Sequence, residues 1–166
     1  VGRSTSIVFE TLIEHWTGAS WSIVASPNPG SSGGALYAVA AVAANDVWAV
    51  GNYADNGLQT LTEHWDGSSW SVVPSPNAPN GSALNGVAAI AANNVWAVGS
   101  SGANPSYTLI EHWDGSSWSI VPSPSPGSTN TLSGVAAVAA NDVWAVGEYE
   151  AVSGSYQYQA LIEHWN

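Results

Sequence analysis

Cysteine and methionine are both absent from this 166-residue chain, and a single basic residue, Arg3, stands against twelve Asp and Glu. Without cysteine there is no disulfide, no thiolate ligand for a metal and no thiol nucleophile. The missing initiator methionine suggests a processed or trimmed chain. A formal net charge of −11 with one Arg cannot neutralise a row of phosphates, which removes the main affinity term for nucleic acid and for anionic membrane. Neither is expected as a partner. Charged residues make up only 8%, against roughly a quarter in an average soluble domain, so stability must come from something other than ion-pair networks. Long apolar runs are also missing. The longest, Ala35–Ala44, is about half of what a membrane-spanning helix needs, and no basic segment precedes an apolar stretch near the N-terminus.

What is present is apolar residues, at 45%, and ten tryptophans, enough for a folded core in one domain. The tryptophans reveal a repeat. Glu14-His15-Trp16 returns as Glu63-His64-Trp65, Glu111-His112-Trp113 and Glu163-His164-Trp165. Asp46-Val47-Trp48-Ala49-Val50-Gly51 returns as Asn94–Gly99 and Asp142–Gly147, with spacings of 48 and 48. One unit is copied about three and a half times.

Each unit reads as four short strands separated by turn residues. In the second copy these are Leu84–Ala92, Val95–Gly99, Thr108–Trp113 and Trp118–Val121, and Pro122-Ser123-Pro124 ends the unit. Asn-Asn and Asn-Asp between the first two strands and Asp-Gly between the last two are hairpin signals, because these residues tolerate positive φ. The Ala-rich segment has apolar residues three apart, as a helix would, but it runs directly into a hairpin turn. Its small side chains also suit a crowded inner strand.

Strand alternation puts Leu109, Glu111 and Trp113 on one side and Thr108, Ile110 and His112 on the other, so neither face is purely polar. A sheet covered on both faces, one per repeat, is what radial stacking provides. The expected fold is therefore all-β, with β-propeller blades of four antiparallel strands in repeats of 48–52 residues. A sandwich would show one polar face per strand, and a solenoid repeat is usually shorter. The blade frame divides the chain into 1–27 (strands three and four of a blade, Ile7–Trp16 and Trp21–Ala25), 28–76, 77–124, and 125–166, which lacks its outer strand. Such a set cannot close a ring. The ends are expected to pair with another copy of the same chain, most simply as a homodimer, or to continue in a longer array.

Asp66-Gly67-Ser68-Ser69-Trp70 and Asp114-Gly115-Ser116-Ser117-Trp118 resemble a shortened Asp-box, the hairpin motif of sialidase-like and photosystem-assembly-factor-like propellers. The whole repeat is similar to Trp-rich bacterial propeller repeats. The resemblance implies a secreted or surface-exposed bacterial protein. It also departs from the family: the Asp-to-Trp spacing is one residue short, and the first copy reads Thr17-Gly18-Ala19-Ser20-Trp21 with no Asp.

Four Glu-His pairs invite an acid/base or metal reading, but adjacent strand residues point to opposite faces and cannot chelate one ion together. A hydrogen-bonded link between the Glu of one blade and the His of the next is the structural expectation. The tryptophans are expected in the inter-blade core rather than as sugar-stacking platforms, and Asp66 and Asp114 in Asx turns rather than on Ca²⁺. A sialidase-like site needs a cluster of Arg, and only Arg3 exists. No nucleophile elbow is present. The expected function is a non-catalytic module with no cofactor and no metal. Alternatives are a structural or engineered repeat fragment without a ligand and, at lower weight, a glycan-active enzyme. A carbohydrate or protein ligand would meet the loops that vary between copies, Gly51–Gln59, Gly99–Ser106 and Gly147–Gln159. The candidate ligand-binding residues there, or at the loop edges, are Tyr53, Asp55, Tyr107, Glu148, Tyr149, Glu150, Tyr156 and Tyr158. Plain drift between duplicated copies explains the same variation.

Overall fold

A computed structural model describes residues 9–166, so Arg3 and the start of the strand predicted from Ile7 lie outside the described residues. Thirteen strands and no helix are found among the described residues, in four antiparallel sheets. The first sheet pairs β1 (Ile13–Trp16) with β2 (Trp21–Val24). The second runs β3 (Gly34–Ala43), β4 (Asp46–Ala54), β5 (Leu58–Trp65) and β6 (Trp70–Val72) in that spatial order. The third repeats it with β7 (Ser82–Ala91), β8 (Asn94–Ser101), β9 (Tyr107–Trp113) and β10 (Trp118–Ile120). The fourth has three strands, β11 (Thr129–Ala139), β12 (Asp142–Glu150) and β13 (Tyr158–Trp165). Two sheets are thus four-stranded and two are not, and no closed ring forms among the described residues.

The Ala-rich segments are the strands β3, β7 and β11, and these lie side by side, β3 against β7 and β7 against β11. Small residues make that approach feasible: a Cβ added to Gly86 would stand 3.2 Å from the Cα of Gly134. In each of these strands the register to the next strand shifts twice, first at a bulge at Tyr37, Asn85 or Ser133 and again at Val42, Ile90 or Val138. The bulge brings the backbone over the glycine that closes Val-Trp-Ala-Val-Gly. A side chain at Gly99 would collide with the Ala83 carbonyl, and Gly51 and Gly147 meet Ala35 and Thr131 in the same way. That is the physical reason for glycine at this position in every copy.

The hairpin turns differ in detail from expectation. Ala44-Asn45 closes β3 to β4 without any left-handed residue, next to a second register shift between Ala41 and Ala43. Gly67 and Gly115 do hold positive φ, 96° and 98°, in the Asp-Gly turns. The variable loops are shorter than the sequence suggested. Backbone pairing continues through polar residues and tyrosines to Ala54↔Leu58, Ser101↔Tyr107 and Glu150↔Tyr158.

The main core lies where the second sheet meets the third. Trp48, Val50, Leu84, Val87, Val95, Leu109 and Trp118 are buried together there, and a smaller cluster of Val98, Leu132, Ala145 and Leu161 joins the third sheet to the fourth. An indole of this kind removes about 150–250 Å² from water, on the order of 4–6 kcal/mol of transfer free energy.

Candidate functional site

The repeated Glu-His pairs separate, as alternation demands, and each half meets a different environment. On one face His64 Nε2 lies 2.9 Å from Asp46 Oδ1, His112 Nε2 3.0 Å from Asn94 Oδ1 and His164 Nε2 3.0 Å from Asp142 Oδ1. The same Asn94 and Asp142 oxygens accept from Trp96 Nε1 and Trp144 Nε1, each at 2.9 Å. The rings stack as well, with Trp–His centroids 4.5, 4.4 and 4.0 Å apart in the second, third and fourth sheets. The residue that opens β8 or β12 therefore fixes a Trp-His pair within its own sheet, whereas on β4 Asp46 holds only His64 and the buried Trp48 Nε1 has no partner. This corrects the expected Glu-to-His link between sheets: the histidine partner is the turn residue of its own sheet.

Ser119, opposite His112 in the ladder, gives its hydroxyl to the His112 backbone carbonyl at 3.4 Å rather than to the ring. Burial, partly offset by the Asp114 charge, holds His112 below the usual histidine range, which favours the neutral imidazole. Among the described residues no three of His, Asp, Glu and Cys gather into a group able to hold a metal.

On the other face Glu63 and Glu111 are fully buried, and no hydrogen bond of ordinary geometry reaches their carboxylate oxygens. Burial pushes Glu63 up to about 7 and Glu111 up to about 8, the latter opposed only in part by the nearby Ser75 hydroxyl. Glu163 is raised for the same reason. A carboxyl group held neutral near pH 7 is a feature that catalytic sites share. Here the same group recurs in successive copies within the packing between sheets.

The Asp-Gly turns are built as Asx turns. Asp114 Oδ1 accepts from Ser116 N at 2.8 Å, Ser117 N at 2.9 Å and Ser116 Oγ at 2.7 Å, and Asp66 repeats the set with Ser68 and Ser69. These donors, the serine hydroxyl first, pull both carboxyls down to about 2.

The eight residues singled out for ligand contact lie at one end of the sheets and are distributed over three of them. Tyr53 is half-buried beside Gly30, and Asp55 sits exposed in the β4–β5 turn with its amide on the Gly57 carbonyl. Tyr107 opens β9 and is half exposed. Glu148 is exposed on β12, while Tyr149 is half-buried and donates its hydroxyl to Gln159 at 2.7 Å. Glu150 turns inward: its Oε1 accepts from Tyr156 N at 2.7 Å, which ties down the β12–β13 loop. Tyr156, at φ 55°, is 83% exposed, and Tyr158 is 50% exposed. Only the group around the β12–β13 loop is brought together. A cavity of about 400 Å³ at this end of the second sheet is lined by Phe9, Tyr37, Asn52 and Ala54 among others, and by none of the eight. Sequence reasoning passed over Tyr37, whose signal was its place at the bulge where the other copies carry Asn85 and Ser133.

No family model and no curated protein matches the chain. Among solved structures it is similar to a protein of unknown function from Dyadobacter fermentans DSM 18053, at a TM-score of 0.56 and 15% identity. The match covers 93% of this chain and 45% of that one, so this chain spans under half of its structural relative. The likeness is one of fold.

Proposed function

We propose that the chain is a non-catalytic module of β-propeller blades, of the kind found in secreted or surface bacterial proteins, whose activity is to assemble with another copy of itself into a closed ring. One observation carries this reading: residues buried between the middle sheets are exposed at the end sheets. Val50 and Val98 are 0% exposed, whereas Val146, their equivalent on β12, is 48% exposed. On the other side of the second sheet, where only the two-stranded first sheet faces it, Val39 is 67% exposed and its equivalent Val87 9%. The exposed residues form faces, and faces of this kind mark interaction sites. β13 adds an unpaired strand edge. Sedimentation velocity tests the reading. The expected species has twice the 17.1 kDa chain mass, and a stable, folded monomer at micromolar concentration overturns it.

A second reading, carbohydrate or protein binding at the variable-loop end, draws on the exposure of Tyr107, Tyr156 and Tyr158. A glycan array with the assembled protein and its Tyr107→Ala and Tyr156→Ala variants tests it. Binding lost in the variants supports the reading, and uniformly null binding leaves the ligand-free module.

A further inference from the structure

Three copies of one tryptophan occupy three environments. Trp48 on β4 is 2% exposed, Trp96 on β8 4% and Trp144 on β12 42%. Trp48 projects from its own sheet into the next, with its ring centroid 5.0 Å from Trp113 and 5.3 Å from Trp118, edge-on to the latter. Val87, Ala89 and Val95 complete that seat. The repeat equivalents of these five residues on the second sheet are Trp65, Trp70, Val39, Ala41 and Val47. All five line a cavity of about 600 Å³ that holds no indole. The chain therefore carries a filled seat, an empty copy of it, and one indole with no sheet in front of it.

Seat and indole cannot meet within one chain. The seat is on β3–β6, Trp144 is on β12, and the whole sheet β7–β10 stands between them. Closure within the chain would need a ring of about three sheets, below the smallest propellers. Resting on the self-assembly reading above, the geometry points to a specific interface: Trp144 of one copy enters the Trp65–Trp70 cavity of a second copy, and β2 of that second copy adds to the free edge of β13.

The strand exchange follows from sequence identity. Leu161–Trp165 on β13 repeats Leu12–Trp16 around β1 residue for residue. β1 holds β2 with Trp16 opposite Trp21 and His15 opposite Ser22, so β13 offers the same register through Trp165 and His164. In place on β13, Trp21, now 64% exposed, reaches a second cavity of about 300 Å³ that Trp96, Val121, Ile162 and Trp165 line. Trp118 holds the corresponding place beside Trp48 one sheet earlier. β1, whose Ile13 and His15 cover the larger cavity, is displaced. Each chain then supplies two whole four-stranded sheets and shares in composite ones, and two chains make a six-sheet ring, inside the range of propellers.

The test uses the 166-residue chain with Trp144→Ser, which removes the indole from a surface position, and Ala41→Trp, which fills the cavity in advance. Far-UV circular dichroism checks that each variant folds. By sedimentation velocity the unaltered chain is expected to be a dimer and each variant a monomer, its association weakened at least a hundredfold, as for loss of a central interface tryptophan. An equimolar mixture of the variants is expected to recover dimer, because the intact Trp144 of one meets the intact cavity of the other. A monomeric unaltered chain overturns both the assembly reading and this interface. A dimeric unaltered chain with equally dimeric variants, or folded variants that stay monomeric when mixed, leaves assembly standing and overturns this interface.

Discussion

The seam between β3–β6 and β7–β10 and the two ends of the array are written in the same residues and have opposite surfaces. At the seam Trp48 is packed among Trp113, Trp118 and Val87. At one end its copy Trp144 stands 42% exposed, although it keeps its His164 stack and its bond to Asp142. The Trp-His stack within each sheet is thus constant, while the indole N–H bond is made by Trp96 and Trp144 but not by Trp48, and the between-sheet contacts depend on whether a neighbour exists. Each repeat encodes half of two interfaces. A local contact such as the Trp-His stack orients a ring, while burial of that ring requires a second sheet.

The sharpest way to break the comparison is to delete the ring at both places. Trp48→Ala is expected to cost about 3–5 kcal/mol, the range for large aromatic residues in cores, and Trp144→Ala under about 1 kcal/mol in dilute monomer. Urea denaturation of both variants checks this, and equal losses would mean that the two sites are equivalent after all.

The buried carboxyls come next in size. Glu111 is held up to about 8 in the folded chain against an ordinary 4.5 when unfolded, so the folded state keeps a proton that the unfolded state has released. Its contribution to stability is full below the unfolded value and is lost as pH rises through about 8, amounting to on the order of 5 kcal/mol. Thermal unfolding should therefore move to lower temperature between pH 5 and about 9. Glu111→Gln, neutral throughout, should flatten that profile and raise stability at the alkaline end. An unchanged slope would show that Glu111 stays ionised.

Smaller again is the turn. Asp114 receives the Ser117 amide at 2.9 Å, whereas Thr17 at the N-terminal end receives that of Ser20 only at 3.4 Å. Asp114→Thr should give the inner hairpin the weaker turn of the end and lower the melting temperature slightly. The Asp114 carboxyl sits at about 2, so the difference between the two chains is full above 3.8 and vanishes as pH falls through about 2. The smallest effect concerns the ends. Thr11, Thr60 and Thr108 each meet a serine hydroxyl at 2.7 Å, and Ala160 occupies that place on β13. If β13 receives β2, Ala160→Thr gains one hydrogen bond to Ser26 in each of the two composite sheets, about 1 kcal/mol apiece, read as a roughly thirtyfold tighter dimer in sedimentation equilibrium.

Much of the fold was legible because the backbone rules are local. The strand pattern followed from alternation, and the Asp66 and Asp114 turns from Asp-Gly chemistry, since each needs only neighbours in sequence. The Ala-rich strand was legible from its direct entry into a hairpin. Strand ends near Ala54 and Ser101 were not, because ladder pairing carries no side-chain signature where one face is solvated. The candidate site was less readable still. Glu148 and Glu150 are two residues apart in one variable segment, yet one faces water and the other is a loop fastener, a difference set by the path of residues 151–157.

The sequence by itself determined the repeat, the strands within it, the scarcity of basic side chains and the lack of any thiol. It also determined where Trp, Glu and His stand in each copy, because a repeat imposes the same local geometry wherever it recurs. Only the tertiary structure decided which copies are covered, which histidine partner is used and which carboxyls are driven neutral. Those outcomes depend on water being displaced by a neighbouring sheet, and Trp48 and Trp144, alike in motif, differ for that reason.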